Sequence, residues 1–83
     1  MSKRVTFAQF DAILEELGFR KSVVTESHVN YRRAAGDTPL MVRLHKPNEF
    51  VPDYELAYVR HELEWSGIIE PANFDEKLLA VAA

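Results

Sequence analysis

Eighty-three residues, 47% of them hydrophobic and 28% charged, allow one domain with one core and leave no room for a second. The absence of cysteine excludes disulfides, thiolate metal sites and cysteine nucleophiles, and a formal net charge of −3 means that any contact with nucleic acid has to come from a local basic patch. No apolar run approaches the roughly 18 residues of a membrane span, and "MSKRVTF" has no apolar stretch behind its two basic residues, so a cytoplasmic protein without membrane contact is expected.

Thr6 and Gln9 have the spacing of a capping box, and Phe7, Phe10, Ile13, Leu14 and Leu17 recur behind them at helical intervals. Gly18 supplies the left-handed residue that ends this first helix, and Phe19 falls where it packs back against Leu14. The period then changes to two, and β-branched and aromatic residues gather. Strands are expected near Arg20–Thr25, His28–Ala34 and Leu40–Leu44, the last two joined by the turn "AAGDTP" from Ala34 to Pro39. Only Glu26 and Ser27 separate the first two strands, which demands a tight hairpin or a bulge. "HKPNEFVP", from His45 to Pro52, reads as a loop, and Pro52 suits the first turn of a second helix that runs to about Ser66 and is closed by Gly67. A short third helix is expected from Asn73, with Glu76 three positions on and Phe74, Leu78 and Val81 at suitable intervals. The plan is α+β in the order αβββα: a single domain over residues 1–83, with a core fold over 6–67 and a helical tail over 68–83. Both main helices are expected on one face of a three-stranded antiparallel sheet.

Side chains alternate faces along a strand, so Val29 and Tyr31 share one side while His28, Asn30 and Arg32 share the other. In the third strand Leu40, Val42 and Leu44 form the apolar set, Met41 and Arg43 point oppositely, and His45 continues that parity past the strand end. The face away from the helices therefore collects His28, Asn30, Arg32 and Arg43, with His45 as a further candidate. Alternation by itself is what any half-buried antiparallel sheet shows. Histidine adds chemistry to it, because an imidazole titrating near neutrality can take a proton from a ribose 2′-hydroxyl or give one to a leaving oxygen. Arginine beside it presents a planar fork of donors that matches a phosphodiester and stabilises the charge that builds there. In such a site Arg32 and Arg43 hold the phosphate and Asn30 adds a hydrogen bond.

"LGFRKSVVTESHVNYRR" followed by "LMVRLHKPNEFVP" resembles the HicA (YcfA-like) toxin ribonucleases, whose pattern is a helix, Gly-Phe, Gly-Ser-His near the second strand, an apolar strand ending in His, and a Pro-started helix. The resemblance runs from about Phe7 to Gly67, and "FDEKLL" is similar to the family's short tail. It implies a double-stranded-RNA-binding-like fold, metal-independent cleavage of messenger RNA with no cofactor, and neutralisation by a HicB-type antitoxin. It also implies that His28 is catalytic, and it gives His45 the family's second histidine position, from which it would touch a phosphate or support the site. Two features depart from the pattern. Glu26 stands in place of the glycine, where its carboxylate repels RNA phosphate unless Arg32 or Arg43 pairs with it, and the family's basic character is missing.

His61 lies within the second helix, and with His28 and His45 it forms no recognised ligand spacing, so no metal site is expected. Ser27 is expected to hydrogen bond within the turn. On the second helix Leu56, Val59 and Leu63 fall within about 60° of arc, and Tyr54, Tyr58, His61 and Trp65 fall on nearly the opposite side. The aliphatic stripe packs most simply on the sheet. The aromatic stripe is either covered by Phe74 and Leu78 of the tail or left as a surface for antitoxin or self-association, which makes Tyr54, Tyr58 and Trp65 the candidate interface residues. The alternative to a nuclease is a non-catalytic RNA-binding or protein-binding module on the same fold. For RNA binding, Asp53 and Glu55 already occupy the positive end of the second helix, where a phosphate would otherwise dock.

Overall fold

The structure is a computed structural model and describes residues 4–33 and 39–82. Its elements are α1 (Phe7–Glu16), β1 (Phe19–Val24), β2 (His28–Arg33), β3 (Leu40–Arg43), α2 (Asp53–Trp65) and α3 (Pro71–Val81). The strands form one antiparallel sheet in the order β1-β2-β3. This is the expected αβββα arrangement. Residues 34–38, most of the expected "AAGDTP" turn, lie outside the described residues.

The capping box that opens α1 is complete: Gln9 N–H donates to Thr6 Oγ1 at 3.2 Å, and Thr6 N–H donates to Gln9 Oε1 at 2.9 Å. Gly18 takes a φ of 98° after the helix, a conformation costly for any side-chain-bearing residue, and turns the chain so that Phe19 enters the core. Backbone bonds from Phe7 to Glu49, from Ala8 to Pro47 and from Val51 to Val5 tie the loop before α2 to the start of α1.

Val29 and Tyr31 of β2 and Leu40 and Val42 of β3 point into one core with Phe10 and Leu14 of α1 and Leu56, Val59 and Leu63 of α2. α1 lies against β1 and α2 against β3, so the helices occupy one side of the sheet. β1 pairs with β2 from Phe19↔Arg33 to Lys21↔Tyr31, slips at Ser22, and resumes with Val23↔Asn30. The extra residue resolves the short connection into a bulge within β1 followed by a tight turn.

Three expectations are corrected. β3 ends at Arg43, so Leu44 leaves the apolar set and is exposed. α3 begins at Pro71 instead of Asn73, and with eleven residues it is no shorter than α1. Its N-cap Glu70 makes no side-chain capping bond, and Pro71 at the first helical position has no N–H to satisfy, which is why the start carries no polar capping signal. Phe74 and Leu78 turn into the core between α1 and α2 instead of covering the aromatic stripe.

Candidate phosphodiester site on the open sheet face

The turn between β1 and β2 is organised by one hydroxyl. Thr25 Oγ1 accepts from His28 N–H at 2.9 Å and from Ser27 N–H at 3.3 Å, and donates to His28 O at 3.2 Å, while Thr25 N–H donates to the same carbonyl at 2.9 Å. Two-residue hairpin turns usually require positive φ and therefore glycine or asparagine. Here the threonine side chain supplies the acceptor, no described residue other than glycine has positive φ, and Glu26 stands in the turn without strain. Sequence reasoning passed over Thr25, although Thr-x-x-His at a strand junction is the kind of local side-chain-to-backbone pattern that signals such a turn.

His28 opens β2 fully on the solvent side. Ser27 Oγ lies 2.9 Å from its Nδ1, which occupies one ring nitrogen and leaves Nε2 facing solvent with no partner among the described residues. Arg43 is its direct cross-strand neighbour. At the usual spacing of opposed side chains, about 5 Å between Cβ atoms, the guanidinium and imidazole reach the same anion. Asn30 and Met41 form the next outward pair, and beyond them Arg20 stands opposite Arg32. Arg20, Arg32 and Arg43 are exposed, and none has a carboxylate partner among the described residues. Glu26 makes no ion pair there either, so its carboxylate is not held against the arginines.

The expected constellation thus divides. Arg43 stands beside His28, whereas Arg32 lies four residues along β2, roughly 13 Å away, and clusters with Arg20, which sequence reasoning did not single out. Asn30 sits half-buried between the two groups with Oδ1 covered and unpartnered, so the group it can turn outward is its amide nitrogen, a donor suited to an anion.

His45 is the clear departure. Its Nε2 lies 2.8 Å from Glu55 Oε2, its ring packs 5.8 Å from that of Phe7, and its side chain is 11% exposed. The ladder has ended at Arg43, so strand parity no longer governs residue 45, and a carboxylate buried in the first turn of α2 draws the imidazole inward. Glu55 stands in the first turn of α2 as the sequence places it, but does more there. Besides lying at the positive end of α2, it is buried, and its Oε1 accepts the Arg43 N–H at 3.0 Å, so one carboxylate ties together the end of β3, the loop and the start of α2.

On α2, Tyr54, Tyr58 and Trp65 remain exposed, Trp65 by 82%, with His61 stacked on Trp65. A shallow groove of about 490 Å³ where α2 passes into α3 is lined by Glu64, Gly67, Ile69, Glu70, Pro71 and Ala72, an acidic lining unsuited to phosphate. Among the described residues no three histidine or carboxylate side chains converge to hold a metal ion, and no helix is long and apolar enough to cross a membrane. Searched against protein-family models, curated proteins and solved structures, the chain matches none of them.

Proposed function

We propose that the chain is a HicA-like toxin endoribonuclease, acting in the cytoplasm on messenger RNA through metal-independent histidine acid–base chemistry and neutralised by a HicB-type antitoxin. The observation that carries this reading is His28: an exposed imidazole with one nitrogen held by Ser27, the other free, and Arg43 directly across the ladder. In the reaction the ribose 2′-oxygen attacks the adjacent phosphorus, the new P–O2′ bond replaces the P–O5′ bond, the 2′-hydroxyl loses its proton and the departing 5′-oxygen gains one. The free Nε2 of His28 performs one of these transfers and water the other, while Arg43 and the Asn30 amide stabilise the charge on the phosphoryl oxygens. A single imidazole contributes on the order of 10²–10⁴-fold, which makes for a slow enzyme. Tyr54, Tyr58 and Trp65 offer an apolar surface apart from the sheet face, suited to the antitoxin or to a second copy.

The test is induction of the chain in a bacterial host beside His28→Ala, with RNA cleavage followed in the presence of a chelator. Growth arrest and chelator-resistant cleavage by the parent, both lost in a folded His28→Ala protein, are the expected results. Cleavage that persists in the variant overturns the assignment. A second reading, a non-catalytic RNA-binding or protein-binding module, draws on one specific observation: His45 is engaged by Glu55, so the second histidine is not free to pair with His28. A binder would retain RNA affinity after His28→Ala and leave the RNA whole.

A further inference from the structure

We infer that Arg20 and Arg32 form a second phosphate clamp, so that the sheet face is a track for a short single strand of RNA and not a site for one phosphodiester. The inference rests on the proposed nuclease site and extends it. Arg20 and Arg32 are Cα partners across β1 and β2, both exposed, on the face that carries His28 and Arg43. Like charges placed directly opposite one another destabilise a sheet. This pair is nevertheless left without a carboxylate among the described residues, in a protein whose thirteen acidic residues outnumber its ten lysines and arginines. Among the described residues no carboxylate offsets this pair, and the repulsion is relieved when an anion sits between the two guanidinium groups.

Spacing identifies the anion's context. The two clamps lie roughly 13 Å apart along β2, which is farther than neighbouring phosphates of one strand stand, so they grip non-adjacent phosphates of the same chain. Between them the face offers the Asn30 amide, a donor for the intervening phosphate, and the exposed thioether of Met41, an adaptable apolar surface for the nucleosides on either side of it. A face this short is also less than a duplex-recognition surface, which spans about 16 base pairs.

The experiment compares the full chain with Arg20→Gln and Arg20→Lys, using a random-sequence eight-nucleotide RNA and a dinucleoside monophosphate. Fluorescence anisotropy measures the first and NMR shift perturbation the second. The parent should bind the octamer far more tightly than the dinucleotide. Arg20→Gln should weaken octamer binding by about tenfold, flatten the slope of log K against log salt by about 0.7, the loss of one phosphate contact on a single strand, and leave dinucleotide binding unchanged. Arg20→Lys should recover most of the affinity. Circular dichroism should show Arg20→Gln folded and melting no lower than the parent, because a like-charge pair has been removed. Octamer binding by Arg20→Gln that equals the parent's in affinity and salt slope overturns the second clamp and leaves the proposed function standing. A parent that binds no RNA at low salt, or that binds poly-glutamate in its place, overturns both.

Discussion

Thr25 does at the turn what a glycine would do by conformation. Its hydroxyl takes two N–H donors, from Ser27 and His28, that a tight hairpin otherwise leaves to positive-φ residues, and so sets the direction in which the imidazole leaves the strand. Thr25→Val keeps the branched shape and removes the acceptor. The site is exposed and water replaces part of the loss, so a cost of about 1 kcal/mol is expected, and under the proposed function a fall in RNA cleavage larger than that stability change explains. Chemical denaturation alongside a cleavage assay checks both. Tyr31 carries a different kind of information. Its hydroxyl donates to Asp11 Oδ1 at 2.7 Å at the edge of the core, and Lys21 Nζ lies 3.3 Å from the other carboxylate oxygen. Burial, reinforced by the hydrogen bond to Asp11 and by the negative charges of Asp11 and Glu15, pushes the phenol well above its ordinary value of about 10. The folded chain therefore keeps this proton at a pH where the unfolded chain has released it. The associated stability is whole below about pH 10 and declines as pH rises beyond it. Urea midpoints measured at neutral pH and at about pH 11 should fall for the parent and fall less for Tyr31→Phe, and equal declines would remove Tyr31 as the cause.

At the scale of elements, the junction of β3 with α2 depends on the Glu55 carboxylate, which serves the Arg43 N–H and the His45 ring together. Glu55→Leu fills the volume and leaves both groups unpaired, at a cost of about 1–3 kcal/mol, and it lets the end of β3 drift so that Arg43 no longer faces His28. Glu55→Gln retains an acceptor for Arg43 N–H and should keep most of the stability and, under the proposed function, most of the cleavage. If Glu55→Leu melts like the parent, the junction is not held in this way. The same junction shows where the sequence stops being readable. The Thr6–Gln9 spacing, Gly18 and the period-two run each declare an element, because the signal and the geometry lie within a few residues of one another. The alternation that places His45 and Leu44 extends beyond the ladder that enforces it, and only the end of pairing at Arg43 shows where the rule lapses. Glu55 in the first turn of a helix reads as a surface acid, since nothing local reveals that a strand end and an imidazole will converge on it. Arg20 went unnoticed for a related reason: its partnership with Arg32 depends on where β1 slips, and the extra residue at Ser22 is visible only in the pairing.

On the scale of the whole molecule, α3 closes the core that the order αβββα leaves open. Phe74 is fully buried and Leu78 nearly so, both within the one hydrophobic cluster, while polar contacts fix the helix at its rim: Gln9 Nε2 to Val81 O, Lys77 to Glu16, and a two-bond fork from Arg60 to Asp75. These contacts differ in weight. Surface ion pairs are screened by water and contribute little, whereas truncating a buried phenyl ring removes its transfer energy and leaves a cavity that the small core of an 83-residue chain can only partly close. Phe74→Ala is therefore expected to cost about 3–5 kcal/mol, a large share of the 5–15 kcal/mol that holds a typical domain folded. For a domain of this size each kcal/mol corresponds to at least about 4 °C, so the melting temperature should fall by about 12 °C or more, while Arg60→Gln should barely move it. Residues of α1 and α2 should lose their amide protection together in Phe74→Ala, because α3 packs against both helices. Hydrogen exchange in which α3 alone opens and α1 and α2 keep their protection would make the third helix an appendage to an independently stable αβββα core.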